Sequence, residues 1–352
     1  MGELNAGTLI TRGLRHKAST VVRALVLCVC TTTPIAMAEP ASGEQLLERM
    51  HAAFAELDYD GVFTYFTGND LSTLRVVHKR VDGVQKERLV HLDGAPREIL
   101  RHGDQVTCIV LPDDDLVALE ESIPAGPFAR AFVRQFDRVA ESYHLETQGE
   151  GRIAGRVALR VAVKPKASDR YGFRLWLDAE HDLLLRSELV DHQGQRLEIF
   201  QFATIAFGPD VQASAVQAQQ LDGSMVSHLR LEPKDQSSRV TNTDQDTVAP
   251  SAASWSTGWL PPGFRMANAD VRRKPSHAVT SMIYSDGLAA FSIFVEPMPP
   301  GGAASLVSKN GATVALNRHV AVDSEHFLVT LVGEIPLDTA QKIVASVAPA
   351  AG

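Results

Sequence analysis

The chain has 352 residues, with 34 Lys and Arg against 42 Asp and Glu, a net charge of −8. That balance argues against sequence-independent nucleic-acid binding, which feeds on basic side chains. Of three cysteines only Cys108 lies beyond residue 38, so an exported form cannot carry an internal disulfide.

The first element is a leader. Arg12, Arg15, Lys17 and Arg23 flank a short apolar run from Ala24 to Cys30, and Ala36-Met37-Ala38 offers small residues where a signal peptidase reads. The run is too short to span a bilayer as a helix. Bulky Leu27 and Val29, standing before Cys28 and Cys30, argue against a lipid-modified cysteine. Residues 1–38 are therefore expected to be a cleavable signal peptide. They hold those four basic side chains and Glu3, so the exported chain from Glu39 stands at −11. Its length fits two domains.

A helix is expected over residues 42–57. Ser42 and Gln45 form a capping box, and Leu46, Leu47, Met50, Phe54 and Leu57 share one face. Strands follow at Gly61–Thr67, Ser72–Arg80, Val84–Leu92, Arg97–Arg101, Val106–Leu111 and Leu116–Leu119. Gly68-Asn69-Asp70 and Asp82-Gly83 separate the first three with hairpin chemistry. Gly126-Pro127 opens a helical insertion in which Phe128, Phe132, Phe136 and Val139 recur at near-helical spacing. Further strands run over His144–Glu150, Val157–Lys164, Tyr171–Asp178, Leu183–Val190 and Arg196–Phe207. Together they make one large antiparallel sheet with helices before and within it.

The pattern dissolves from Gly208 to Ala253, where Ala, Gln, Ser, Asp and Thr dominate. A second domain starts near Trp255, with strands at Ala278–Tyr284, Leu288–Glu296, Ala312–Val322 (with a turn inside) and Phe327–Val332. Pro336 opens a last helix with Leu337, Ala340, Ile343, Val344 and Val347 on its buried face. The expected organisation is a signal peptide over 1–38, a large domain over 39–210, a linker over 211–253 and a small domain over 254–350.

Catalytic chemistry is hard to find. Asp113-Asp114-Asp115 lacks the spacing of a calcium loop and reads as a solvated turn. The twelve histidines are scattered, and the mature chain has no His-x-x-x-His or Cys-x-x-Cys pair. Neither a nucleophile elbow nor a phosphate loop nor a dinucleotide fingerprint is present. Cys108, between Val106 and Ile109, reads as a buried thiol. The expectation is a protein that is not an enzyme and holds no cofactor or metal.

The apolar pattern is more informative. Phe63, Tyr65, Leu74, Val76, Phe173, Leu175 and Leu177 alternate with polar neighbours and define one face of the sheet. An ordinary core explains this. The functional alternative is a lipid cleft under the Phe128–Val139 stripe, with Phe63, Tyr65, Leu74, Phe128, Phe132, Phe136 and Trp176 as candidates. Trp176 alternates with Leu175 and Leu177, so one of the two sets must point away from that face.

An ordered set of segments resembles one family, the periplasmic sigma-E regulators RseB and MucB. In the first domain these are Leu92-Asp93-Gly94-Ala95-Pro96-Arg97-Glu98, Phe136-Asp137-Arg138, Tyr143, Arg170-Tyr171-Gly172 and Leu175-Trp176-Leu177-Asp178. In the second they are Trp259-Leu260-Pro261-Pro262-Gly263-Phe264, Tyr284-Ser285-Asp286-Gly287-Leu288, Phe291-Ser292-Ile293-Phe294-Val295 and Val332-Gly333-Glu334-Ile335-Pro336. The resemblance implies an α+β fold: a large curved antiparallel sheet with helices in its concavity, similar to LolA and LolB, plus a smaller α+β C-terminal domain. It implies a periplasmic regulator that binds the periplasmic part of a membrane anti-sigma factor of the RseA or MucA type and shields it from a site-1 protease. Lipid or lipopolysaccharide would release that grip, and a homodimer is one option for its assembly. Arg265, Arg272, Arg273, Lys274 and Tyr284 are the partner-binding candidates on this reading, with a solvated loop and a hairpin turn as the plain alternatives. The rival function is a stand-alone periplasmic lipid or lipoprotein carrier.

Overall fold

In the computed structural model the described residues are 42–103, 105–110, 139–218, 225–230, 255–273, 278–298, 302 and 306–350. Helix α1 (Gly43–Glu56) starts where the capping box places it: Ser42 Oγ accepts from Gln45 N and the Gln45 side chain accepts from Ser42 N. The chain then enters strands β1 (Tyr59–Thr67), β2 (Asp70–Val81), β3 (Val84–His91), β4 (Arg97–His102) and β5 (Gln105–Val110). A short helical turn α2 (Val139–Ser142) leads into β6 (Tyr143–Ile153), β7 (Arg156–Pro165), β8 (Gly172–Asp178), β9 (Leu184–Val190) and β10 (Arg196–Phe207). The sequence-predicted strand Leu116–Leu119, the Phe128–Phe136 stripe and Asp113–Asp115 lie outside the described residues.

These strands and β11 (Met225–Arg230) make an eleven-stranded sheet in the order β11-β5-β4-β3-β2-β1-β10-β9-β8-β7-β6. All the ladders between the described strands of this sheet are antiparallel, as consecutive hairpins dictate. Strand β1 closes against β10 with Phe63 opposite Phe202, bringing two distant runs together. Leu46, Leu47 and Met50 of α1 cover the face bearing Phe63, Leu74, Val76, Val161, Leu175 and Leu177, and all are buried. That burial of contiguous apolar surface is what holds α1 to the sheet.

Part of the expected linker belongs to the large sheet. Two single 3-10 turns follow, Gly208–Asp210 and Ala213–Val216; the second lies over β2 and β3, and Val211 and Val216 pack on Val77. Strand β11 pairs with β5, Met225 opposite Val110. A polar stretch hides such a strand, because an edge strand with one neighbour needs little apolar content.

The second sheet has its own core. Strands β12 (Trp255–Thr257), β13 (Arg265–Arg273), β14 (Ala278–Ser285), β15 (Ala290–Pro297), β16 (Val307–Asn310), β17 (Thr313–Val322) and β18 (Glu325–Gly333) precede helix α3 (Leu337–Ala345) and β19 (Val347–Pro349). Six form one sheet, β13-β14-β15-β18-β17-β16, while β12 pairs with β19. Ala340, Ile343 and Val344 of α3 pack on Met282, Ile293, Val329 and Leu331. Two expectations are corrected here. The turn expected inside Ala312–Val322 falls earlier, at Gly311-Ala312, and β17 runs unbroken. Strand β13 was missed, since Arg-Met-Ala-Asn-Ala-Asp-Val-Arg-Arg carries no clean alternation.

Candidate functional site

Four of the segments that carry the family resemblance meet in space at the joint between the two sheets. From the large sheet come Tyr143, at the start of β6, and Arg170, in the turn between β7 and β8. From the small one come the Pro262-Gly263-Phe264 turn and the β14–β15 hairpin with Asp286.

Asp286 sits at the centre. Its Oδ2 accepts from Arg170 Nη1 at 2.6 Å and from the Tyr143 hydroxyl at 3.0 Å. Its Oδ1 accepts from the backbone N–H of Leu288 and Ala289, at 2.9 and 2.8 Å. One carboxylate thus closes its own hairpin and holds a residue of the other sheet. The Arg170 side chain is 2 % exposed and that of Asp286 0 %. Each of the three guanidinium nitrogens of Arg170 donates: besides Nη1, Nε donates to Asp169 at 2.7 Å and Nη2 to the carbonyl of Pro262. Its guanidinium lies 5.0 Å from the ring centre of Phe264 and 5.7 Å from that of Tyr143.

The electrostatics follow from this packing. Burial works against the charge on Arg170, but Asp169 and Asp286 outweigh it and hold its pKa above the usual value. Tyr143 is pushed well above its ordinary range, first by burial and then by the Asp286 carboxylate. The turn leaves no slack. Gly263 has φ +87°, and a Cβ there would stand 2.4 Å from Ser142 Oγ.

A second contact forms around Glu198 of β10. Its carboxylate accepts from the Tyr65 hydroxyl at 2.6 Å, from Thr67 Oγ1 at 3.3 Å and from the backbone N–H of Ala312, in the small domain, at 3.2 Å. Ala312 is buried against Tyr171 and Leu189. Next to it Gly311 has φ +58°, and a Cβ there would lie 2.5 Å from Thr67 Oγ1 and 2.9 Å from Gly68 N. Burial first, and Glu334 of the small domain second, raise the pKa of Glu198.

The sequence-predicted site residues scatter. Phe63, 1 % exposed, packs on Phe200 and Phe202 with ring centres 4.9 and 5.8 Å away. Leu74 is buried in the same cluster. Tyr65 is half-buried and committed to Glu198. Trp176 alternates with buried Leu175 and Leu177 along β8; it is half-buried, lies under the guanidinium of Arg186 at 4.9 Å and also packs at the margin of the cluster that holds Phe63. Phe128, Phe132 and Phe136 lie outside the described residues. Of the partner candidates, Arg265 is exposed at the start of β13, while Tyr284 is 2 % exposed, stacks on Phe291 and offers a partner no surface. Arg272 and Arg273 lie on β13 with side chains outside the description, and Lys274 lies outside it altogether. Sequence reasoning reaches Arg170 and Asp286 only as members of resemblance segments, Asp286 also as turn chemistry, and gives no sign of Glu198.

Asp178, Glu180 and His181 bring three metal-ligand types together. Arg156 occupies their centre instead, donating to Asp178 and to Glu180 at 2.9 Å, with His181 Nδ1 3.1 Å away. Asp178 also accepts from the backbone N–H of Glu180 and His181, so the cluster is a capped turn.

Comparisons with known proteins point one way. Residues 42–225 match the model of the MucB/RseB N-terminal domain and residues 249–348 that of the MucB/RseB C-terminal domain. The chain is 33 % identical over 332 residues to the sigma factor AlgU regulatory protein MucB of Pseudomonas aeruginosa, covering 93 % of this chain and 97 % of that one. It is 28 % identical over 315 residues to the sigma-E factor regulatory protein RseB of Escherichia coli, covering 89 % and 92 %. Among solved structures, MucB in complex with MucA(peri) matches with a TM-score of 0.69 and 32 % identity over 88 % of this chain and all of that one. A crystal structure of MucB matches with a TM-score of 0.64 and 30 % identity over 89 % of this chain and 99 % of that one.

Proposed function

The chain belongs to the MucB/RseB family, and on that premise we propose that it is a periplasmic regulator that grips the periplasmic part of a membrane anti-sigma factor of the RseA or MucA type. The observation that carries this reading is its similarity, over nearly the whole chain, to MucB solved in complex with MucA(peri). Its relatives are named as regulatory proteins, not enzymes. No helix among the described residues is long and apolar enough to cross a membrane, in keeping with a partner that supplies the membrane anchor.

On this reading the grip shields the partner from a site-1 protease, and a lipid or lipopolysaccharide bound by the large sheet releases it. Release requires a state of the protein that binds lipid better and partner worse. The joint around Arg170, Asp286 and Glu198 is the element that such a state would rearrange, because it is where the lipid-binding and partner-binding halves touch.

The test is a pull-down with the periplasmic segment of the anti-sigma factor encoded by the same genome. Binding is expected, together with protection of that segment from the protease and loss of protection on adding lipopolysaccharide. Absence of binding would sink the proposal and favour a stand-alone lipid carrier. Reversing the charges of Arg265, Arg272, Arg273 and Lys274 should weaken the pull-down; unimpaired binding would free those residues from the partner surface.

A further inference from the structure

The large sheet's outer face, turned away from α1, differs in charge from the rest of this acidic chain. Across β7, β8, β9 and β10 one cross-strand row reads Arg160, Trp176, Arg186, Gln201. The next reads Ala162, Arg174, Glu188, Ile199. Glu188 is buried and ion-paired to Arg174 at 3.3 Å, to Arg186, and to Arg196 at 3.6 Å. One carboxylate cannot neutralise three guanidiniums. Arg174 and Arg196 leave 43 % and 54 % of their side chains exposed, and Arg160 is exposed as well. Arg186 is anchored on Trp176, and its Nε is buried without a hydrogen-bond partner. The second row continues through Phe66 on β1 to Leu71 on β2, which is 64 % exposed. At the usual strand spacing the step from Arg174 to Leu71 is roughly 19 Å.

We propose that this outer face docks onto an anionic phospholipid surface. Charge complementarity is the first argument: a net excess of guanidinium stands on one face of a chain whose net charge is −8. Guanidiniums pair with phosphate oxygens in bidentate fashion. The distribution is the second argument. The basic groups are spread in two dimensions over neighbouring strands rather than along one strand edge, which would fix the register of a peptide. A fluid layer of headgroups rearranges to meet charges placed in this way. The third argument is the apolar margin, since exposed Leu71 and half-buried Phe66 beside arginines have the amphipathic character of side chains at a lipid–water boundary.

The experiment is co-flotation of the chain lacking residues 1–38 with vesicles of phosphatidylcholine alone, or with roughly one-third phosphatidylglycerol. Binding is expected to the second only and should weaken as salt rises. Arg160→Glu, Arg174→Glu and Arg196→Glu together should lower the partition by about a hundredfold. If that variant fails to fold, Arg160→Gln with Arg196→Gln, both at exposed positions, should still lower it by about tenfold. Equal binding to both vesicles, or phosphatidylglycerol binding untouched by these substitutions in a folded variant, overturns the proposal. Binding to polyglutamate with none to either vesicle also overturns it and assigns the face to an acidic peptide.

Discussion

Arg170 Nη1 lies 2.6 Å from Asp286 Oδ2 across 116 residues of sequence, and neither side chain reaches solvent. Such a pair is weak evidence for net stability, because desolvating both charges offsets much of their attraction. Breaking it is another matter. Asp286→Asn keeps an oxygen for Leu288 N and Ala289 N but leaves Arg170 buried with Asp169 as its one remaining carboxylate. The expected loss is about 3–5 kcal/mol in denaturant unfolding. A double variant with Arg170→Met should recover part of it, and losses that simply add would show that the two residues do not act together.

Glu198 makes the joint sensitive to pH. Burial and the facing Glu334 raise its pKa in the folded chain, so the folded form holds a proton that the unfolded form has already released. Stability from this group is therefore present at acid pH and is lost as pH rises from the ordinary carboxylate value through the raised one. Asp58 and Asp178, both lowered, work in the opposite direction, so the wild-type profile alone is ambiguous. Glu198→Gln isolates the effect: its Tm relative to wild type should climb from pH ~4 to pH ~7. A constant difference would remove Glu198 from the account.

Gly311→Ala tests the second contact by shape. The substitution puts a methyl group against Thr67 Oγ1 and Gly68 N at a backbone angle that alanine adopts reluctantly. We expect a loss of about 1–3 kcal/mol in denaturant unfolding. Unchanged stability would mean that the small sheet does not rest on the β1–β2 hairpin.

Phe63→Ala separates core from cleft. Phe63 touches Phe200 and Phe202 beneath α1, so its removal should cost about 3–5 kcal/mol by chemical denaturation. A loss well under that would mean that the site is open enough to collapse or to hold a ligand.

Local structure was legible in the sequence wherever one short-range rule decided it. The capping box at Ser42 and Gln45, the Asp82-Gly83 turn with φ 53° and 80°, and the alternation along β1, β8 and β10 all read directly. Two edge strands were not legible: β11 and β13 have one neighbour each and no clean alternation, whereas the edge strand β6 did read from its sequence. Alternation also cannot say which of Trp176 and Leu175 faces inward; α1 decides that by covering Leu175. The joint was half legible. Asp286 announced a turn, but Arg170 gave no sign of its partner, since periodicity carries no information across 116 residues. The resemblance segments marked both ends without saying that they touch.

The double duty of Asp286 makes the joint observable one amide at a time. The Leu288 and Ala289 N–H groups are held by the same carboxylate that Arg170 and Tyr143 clamp from the other sheet. If the sheets part, that carboxylate takes up water and its grip on the two amides slackens. Their deuterium uptake then reads out separation directly, with no dye, tag or engineered cysteine, and any lipid or peptide that shifts the joint should shift that rate.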